Sequence, residues 1–82
     1  MVDYFQLRAA RALTGLSQPD VAAAAGISIP TLKRAEADGP IKVSSDAVAA
    51  IVKALEKAGV EFIPENGGGA GVRMKKREKR KS

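Results

Sequence analysis

The chain has 82 residues and a formal net charge of +5 at pH 7, which predicts one domain with a small core. It contains no cysteine and no histidine, which excludes disulfides and thiolate or imidazole metal ligands. No apolar run is long enough to span a membrane and no secretory signal is visible, so we expect a cytoplasmic protein without a cofactor.

The first predicted helix covers about residues 4–14. Asp3 is a suitable N-cap ahead of this helix, and Gly15 is placed to end it. Apolar residues recur along it at helical spacing, which predicts one face turned toward the core. The residues expected on that face are Leu7, Ala10 and Leu13.

Residues 17–36 have the pattern of a helix, a tight turn and a second helix. Ser17 is a good N-cap for the first of the two. Gly26 can leave that helix with a positive φ, and Ser28 can cap the next helix, whose first turn accommodates Pro30. Two short helices joined by a glycine turn are typical of a helix-turn-helix unit.

The second helix of this unit, the third in the chain, is predicted to have one buried and one exposed face. Leu32 and Ala35 continue the buried apolar face. Thr31, Lys33 and Arg34 fall elsewhere on the helix and are expected to point outward. The exposed face is therefore basic, which favours contact with nucleic acid; the alternative is a solvated basic face without a partner.

The last part of the chain changes from helical to extended character. Residues 45–58 have an apolar stripe at helical spacing, and Gly59 follows them. Two short runs around a glycine-rich stretch, Val60–Ile63 and Val72–Met74, predict a β-hairpin. The expected organisation is a helical domain over 1–59, a hairpin over 60–74 and a disordered basic tail over 75–82.

The positive charge is concentrated at the C-terminus. Residues 73–82 contain seven basic residues and one acidic residue, whereas the rest of the chain contains seven basic and eight acidic residues. DNA binding by the folded part would therefore depend on where its charges lie rather than on their sum. The tail is interpreted either as a solvated end or as a non-specific contact with phosphates.

The segment LSQPDVAAAAGISIPTLKRAE resembles the helix-turn-helix domain of Cro/repressor-type (XRE-like) regulators. The resemblance covers roughly residues 5–58 and implies a mainly α, lambda-repressor-like domain of four helices, to which the hairpin is added. The matching residues are Leu16, Ser17, Gln18, Val21, Ala22, Gly26, Ile27, Ser28, Leu32 and Glu36, with Arg11 upstream. Ile29 and Pro30 stand where many members carry polar side chains that contact bases.

The resemblance also implies roles for individual residues. Arg11 and Glu36 would form an ion pair between the first and third helices; the alternative is two unrelated surface charges. Gln18 would contact a DNA phosphate and brace the third helix, or else be a plain exposed glutamine. The candidate DNA-binding residues are Gln18, Ser28, Ile29, Pro30, Thr31, Lys33, Arg34 and Lys42.

Catalytic and nucleotide-binding functions have little support in the residues. The glycines of residues 66–71 are not followed by the lysine and hydroxyl residue of a phosphate-binding loop, nor by a helix. Without histidine or cysteine, a catalytic site would need acidic pairs, lysine or serine, and Ser44, Ser45 and Asp46 are better explained as a helix start. We therefore expect neither an enzyme nor a small-molecule site.

The sequence thus predicts a DNA-binding transcriptional regulator that recognises a specific sequence in double-stranded DNA. Its third helix would enter the major groove while the second lies across the backbone. A homodimer is expected, because two copies reading two half-sites is the usual arrangement, and an open edge of the hairpin is the candidate contact. The alternative is a protein-interaction or antitoxin-like module that uses the same scaffold.

Overall fold

The structure, a computed structural model, describes residues 2–39 and 42–75. Four helices precede a two-stranded antiparallel sheet, which confirms the predicted fold class. The predicted tail lies outside the described residues from residue 76 onward. The elements are α1 (Tyr4–Thr14), α2 (Gln18–Ala25), α3 (Ile29–Ala35), α4 (Ser45–Lys57), β1 (Val60–Ile63) and β2 (Gly71–Met74).

Short polar side chains begin three of the helices as the sequence predicts. Ser17 Oγ accepts a hydrogen bond from the Asp20 amide at 3.2 Å, and Ser28 Oγ accepts one from the Thr31 amide at 3.2 Å. Ser44 Oγ does the same for α4, where it accepts from an amide at 3.1 Å. Each contact satisfies an amide that has no partner within its helix, which fixes where the helix starts.

A small core joins all four helices to the first strand. Its members are apolar residues that are almost fully buried: Leu7, Ala10, Val21, Ala22, Leu32, Ala35, Ile51, Leu55 and Val60. This set confirms the predicted inward faces of α1 and α3 at four positions. Because several of the side chains are alanine, the helices can approach closely around a few larger residues.

Leu13 does not belong to this core, and its predicted burial is wrong. Its side chain is 46% exposed, whereas Leu7 is 1% exposed. The reason is position along the helix: Gln6, seven residues before Leu13 and therefore on nearly the same side of α1, is 2% exposed because it bonds to the hairpin. That cover does not reach Leu13.

The hairpin packs against the helices rather than extending from them. Val60 pairs with Met74 and Phe62 with Val72, in antiparallel register. Val60 is buried in the core, and the side chains of Phe62 and Val72 pack against it. An isolated two-stranded hairpin is marginally stable in water, so this apolar contact with the core helps to hold the strands in place.

Candidate nucleic-acid interface

The turn between α2 and α3 fixes the angle of the helix pair. Gly26 has a φ of +73°, a conformation that favours glycine, and its amide donates to Ala23 O at 3.2 Å. The Ile27 amide donates to Ala22 O at 3.0 Å, and its side chain packs on the core. Ile27 is therefore an apolar anchor inside the turn, which helps to fix the orientation of α3 relative to α2.

The exposed face of α3 is positioned by residues on its opposite side. Leu32 is 0% exposed and Ala35 is 7% exposed. At about 100° per residue, Pro30, Lys33 and Arg34 then lie on the side facing away from the core, and all three are exposed. The backbone beneath these three side chains is fixed by packing, which is what recognition of a defined surface requires.

The first turn of α3 combines apolar atoms with hydroxyls that are already engaged. Ile29 is 37% exposed and Pro30 is exposed as well. Ser28 Oγ and Thr31 Oγ1 lie 2.8 Å apart, within hydrogen-bond distance, and Ser28 Oγ also caps the helix. The side chains at this end of the helix that face solvent are therefore mostly apolar.

Gln18 is joined to α3 through Glu36. Its Nε2 donates to Glu36 Oε1 at 3.1 Å, and its side chain is half-buried. The side chain thus connects the first turn of α2 to the residue that follows α3. This geometry agrees with the bracing role implied by the family resemblance, while a phosphate contact stays a prediction.

Arg11 and Glu36 are brought together, which supports the predicted ion pair over unrelated surface charges. Arg11 Nε donates to Glu36 Oε2 at 2.7 Å, and Arg11 Nη2 donates to Glu36 Oε1 at 3.1 Å. The hydrogen bond to the carboxylate raises the pKa of Arg11. Glu36 is 6% exposed, so its negative charge is nearly buried, and these donors offset the loss of its contact with water.

An acidic residue lies close to Gln18 at the start of α2. Asp20 Oδ2 accepts from the Ser17 amide at 3.1 Å, and this contact together with the Ser17 hydroxyl lowers the pKa of Asp20. A carboxylate here is stabilised by the free amides of the helix end. The same negative charge disfavours a phosphate next to it, so contact at this helix end would have to come from Gln18 and not from net charge.

Arg34 and Lys42 border the same shallow groove. This groove has a volume of about 220 Å³ and lies between the ends of α1, α3 and α4. Asp3 and Asp38 also line it, so two basic and two acidic residues border the groove. Lys42, which follows the end of α3 by seven positions, therefore lies near Arg34 of that helix.

Sequence reasoning missed one polar residue that holds this architecture together. Gln6 is 2% exposed, and its Nε2 donates to Gly71 O at 3.0 Å and to Ile63 O at 3.4 Å. Its Oε1 accepts from the Asp3 amide at 2.9 Å. A glutamine at the start of an amphipathic helix gives no signal of such a role, because its partners lie 57 and 65 positions away.

Two other features are absent from the described part of the chain. Within residues 2–39 and 42–75, no group of acidic residues is arranged to hold a metal ion. Among the helices in the same part of the chain, none is long and apolar enough to cross a membrane.

Comparison with known families shows a match over most of the chain. A family model described as a helix-turn-helix domain matches residues 5–62. The match confirms the resemblance to the Cro/repressor-type group and extends it through β1 almost to its end. A comparison with curated proteins returned no match.

Proposed function

We propose that this chain, which belongs to the helix-turn-helix domain family, binds a specific sequence in double-stranded DNA and regulates transcription in the cytoplasm. One observation carries the proposal: the outward face of α3 presents Pro30, Lys33 and Arg34 from a backbone anchored by buried Leu32 and Ala35. A helix fixed in this way can enter the major groove and hold one geometry against the bases.

We assign the basic side chains of α3 to hydrogen bonding with DNA. Arg34 has a planar guanidinium that can donate to both O6 and N7 of a guanine. Lys33 can donate to the same atoms or to a phosphate. Lys42, which borders the groove beside Arg34, would contact a phosphate rather than a base because it follows the helix rather than belonging to it.

We assign the first turn of α3 to apolar contact. Ile29 and Pro30 are exposed, and thymine carries a methyl group in the major groove that apolar side chains can touch. Ser28 and Thr31 bond to each other at their hydroxyls, and the hydroxyl proton left over can be donated to a phosphate. Gln18, held by Glu36, would contact the backbone beside them.

Two copies would be needed for a typical specific affinity. A single helix of this length reaches only a few base pairs, and two-fold related copies reading half-sites about 34 Å apart are the usual solution. We therefore propose a homodimer as the form that acts on DNA. The basic tail would add attraction to phosphates without sequence preference.

The rival function is a protein-interaction or antitoxin-like module built on the same scaffold. The exposure of Ile29 favours it, because a partner protein can cover an apolar residue as well as DNA can. The nearly balanced charge of the residues before 73 also favours it. Gln18, Lys33 and Arg34 favour DNA, because they place hydrogen-bond donors around one helix pair.

Selection from random duplex DNA separates the two functions. The full chain is bound to a pool of random duplexes over several rounds, and the recovered sequences are compared between independent experiments. The proposal predicts a reproducible motif with two-fold symmetry. Recovery of no motif at low salt, where non-specific attraction is strongest, would contradict DNA recognition and leave the interaction module.

A further inference from the structure

The solvent-facing side of α1 is apolar, although a helix on the surface of a small domain normally turns polar residues outward. Among the described residues, four large apolar side chains are exposed, and two of them, Phe5 and Leu13, lie on this helix. Ala9 and Ala12 are exposed between them. The four residues are spaced at i, i+4, i+7 and i+8, which places them on one face. We call this set the outer face of α1.

The outer face adjoins the side of α1 that packs in the core. Gln6, Leu7 and Ala10 are buried on the inner side. Two arginines border one edge of the outer face: Arg8 lies about 40° from Ala12 around the helix axis, and Arg8 and Arg11 line a groove together with Phe5 and Ala9. The four residues of the outer face itself are apolar, which is typical of a helix face that another element covers.

We infer that the outer face of α1 packs against the same face of a second copy of this chain, with the two helices antiparallel. The order of side chains supports a symmetric contact: Phe5 and Leu13 lie four residues on either side of Ala9. In an antiparallel pair crossing at Ala9, Phe5 of each copy meets Leu13 of the other. A two-fold interface requires this kind of self-complementary surface.

The shape of the neighbouring surface adds to the complementarity. Phe5 also borders a groove of about 700 Å³ between the N-terminal end of α1 and the hairpin, together with Val2, Phe62, Pro64 and Ala70. In the antiparallel arrangement, Leu13 of the second copy comes to the mouth of this groove beside Phe5. The small Ala9 lets the two helix backbones approach at the centre, so the larger side chains can reach the groove from both ends.

The size of the contact sets the strength to expect. A helix of 11 residues is about 16 Å long. The surface area buried by the two faces and the two grooves should therefore lie near the low end of the range for specific association. We expect dimers that dissociate in the micromolar range when DNA is absent. The inference rests on the proposed homodimer and gives it a contact surface. Because it is tested without DNA, its failure and the failure of DNA recognition are distinguishable.

Cysteine cross-linking tests the contact directly, because the chain contains no cysteine of its own. Ala9→Cys should form a disulfide-linked dimer under mild oxidation, since residues at the two-fold axis bring their Cα atoms within the range that a disulfide spans. Ala49→Cys is the matched control, an exposed alanine on α4. A mixture of Phe5→Cys and Leu13→Cys should cross-link to each other more than either does to itself.

Charge reversal gives an independent readout in sedimentation equilibrium. Ala9→Glu should make the chain monomeric, Ala49→Glu should not, and mixing Ala9→Glu with Ala9→Lys should restore a dimer. Because two Arg8 residues lie on one side of the pair, added salt should leave the dimer intact or strengthen it, the opposite of its effect on DNA binding.

The contrary results are equally specific. A wild-type chain that is monomeric at millimolar concentration would overturn the inference and point to a different protein as the occupant of the outer face. A dimer that survives Ala9→Glu and cross-links through Arg73→Cys on β2 would overturn it in favour of the hairpin edge. Self-linking of Phe5→Cys in preference to the mixture would overturn the antiparallel order.

Discussion

Arg11 Nε and Glu36 Oε2 lie 2.7 Å apart across 25 positions of sequence and join α1 to the end of α3. Glu36 Oε1 accepts a second bond from Arg11 and a third from Gln18, so one carboxylate connects three helices. Because the side chain is nearly buried, its charge depends on these partners. The orientation of the proposed DNA-reading helix is thereby tied to residues outside it.

Replacing either member of this pair should destabilise the domain. Arg11→Met or Glu36→Gln should each lower the free energy of unfolding by about 1–3 kcal/mol, because each leaves a partly buried charge without its partner. Removing both should cost less than the sum of the two. Urea unfolding of the two single variants and the double variant gives the coupling energy, and a value near zero would show that the contact is incidental.

Gln6 should control the attachment of the hairpin to α1. Gln6→Glu keeps the shape of the side chain but removes both donors and directs a carboxylate at two backbone carbonyls. We expect a loss of about 1–3 kcal/mol, with faster amide hydrogen exchange in the hairpin. Gln6→Met is the comparison variant, since it preserves apolar contact without a negative charge. Unchanged exchange over residues 60–63 and 71–74 in Gln6→Glu would show that packing alone holds the strands.

The start of α2 should respond to acid through Asp20. Its pKa is lowered in the folded chain by the bonds to Ser17, so the ionised form stabilises the fold. That contribution is complete above the ordinary aspartate pKa of about 3.9 and is lost as pH falls through the lower native value. Asp20→Asn should therefore be less stable than wild type at neutral pH, and the difference should shrink toward acid. A difference independent of pH would rule out the charge as its source.

The basic tail should increase the affinity for DNA without adding preference for any base sequence. The variant ends after Lys75, because the amide of this residue donates to Gly59 O at 2.6 Å and belongs to the folded part. Deleting residues 76–82 should weaken binding to all duplexes alike. The slope of log affinity against log salt should fall by about 0.9 for each phosphate that the tail neutralises in the wild-type complex. An unchanged slope at low salt would mean that the tail does not touch DNA.

The local elements could be predicted because their signals are local. Each N-cap serine accepts a hydrogen bond from the amide three positions along the chain; these serines are Ser17, Ser28 and Ser44. Gly26 ends α2 by its own backbone conformation. The ion pair between Arg11 and Glu36 was accessible only through the family resemblance, since nothing in the spacing of two distant charges indicates contact.

The remaining features depend on three-dimensional arrangement that no sequence period records. Leu13 fits a helical stripe as well as Leu7 does, but the neighbouring elements cover only one of them. In the sequence Gln6 is an ordinary polar residue of a helix, and its partners are known only once the hairpin packs on α1. Lys42 and Arg34 come together only because the chain turns between α3 and α4. Whether these side chains contact DNA stays a prediction.

Arg34 provides the most direct test of the claim that α3 reads sequence. The measurement is the affinity of the full chain for a selected duplex and for a scrambled one at several salt concentrations. Lys53→Ala serves as the matched control, because Lys53 is an exposed basic residue on α4 rather than α3.

We expect Arg34→Ala to lose about 1–3 kcal/mol of binding free energy on the selected duplex and little on the scrambled one. This variant should also lose its sequence preference at one base pair. Lys53→Ala should change neither affinity. An equal loss on both duplexes would make Arg34 a phosphate contact. Equal affinity of the wild-type chain for both duplexes would contradict sequence-specific recognition by α3.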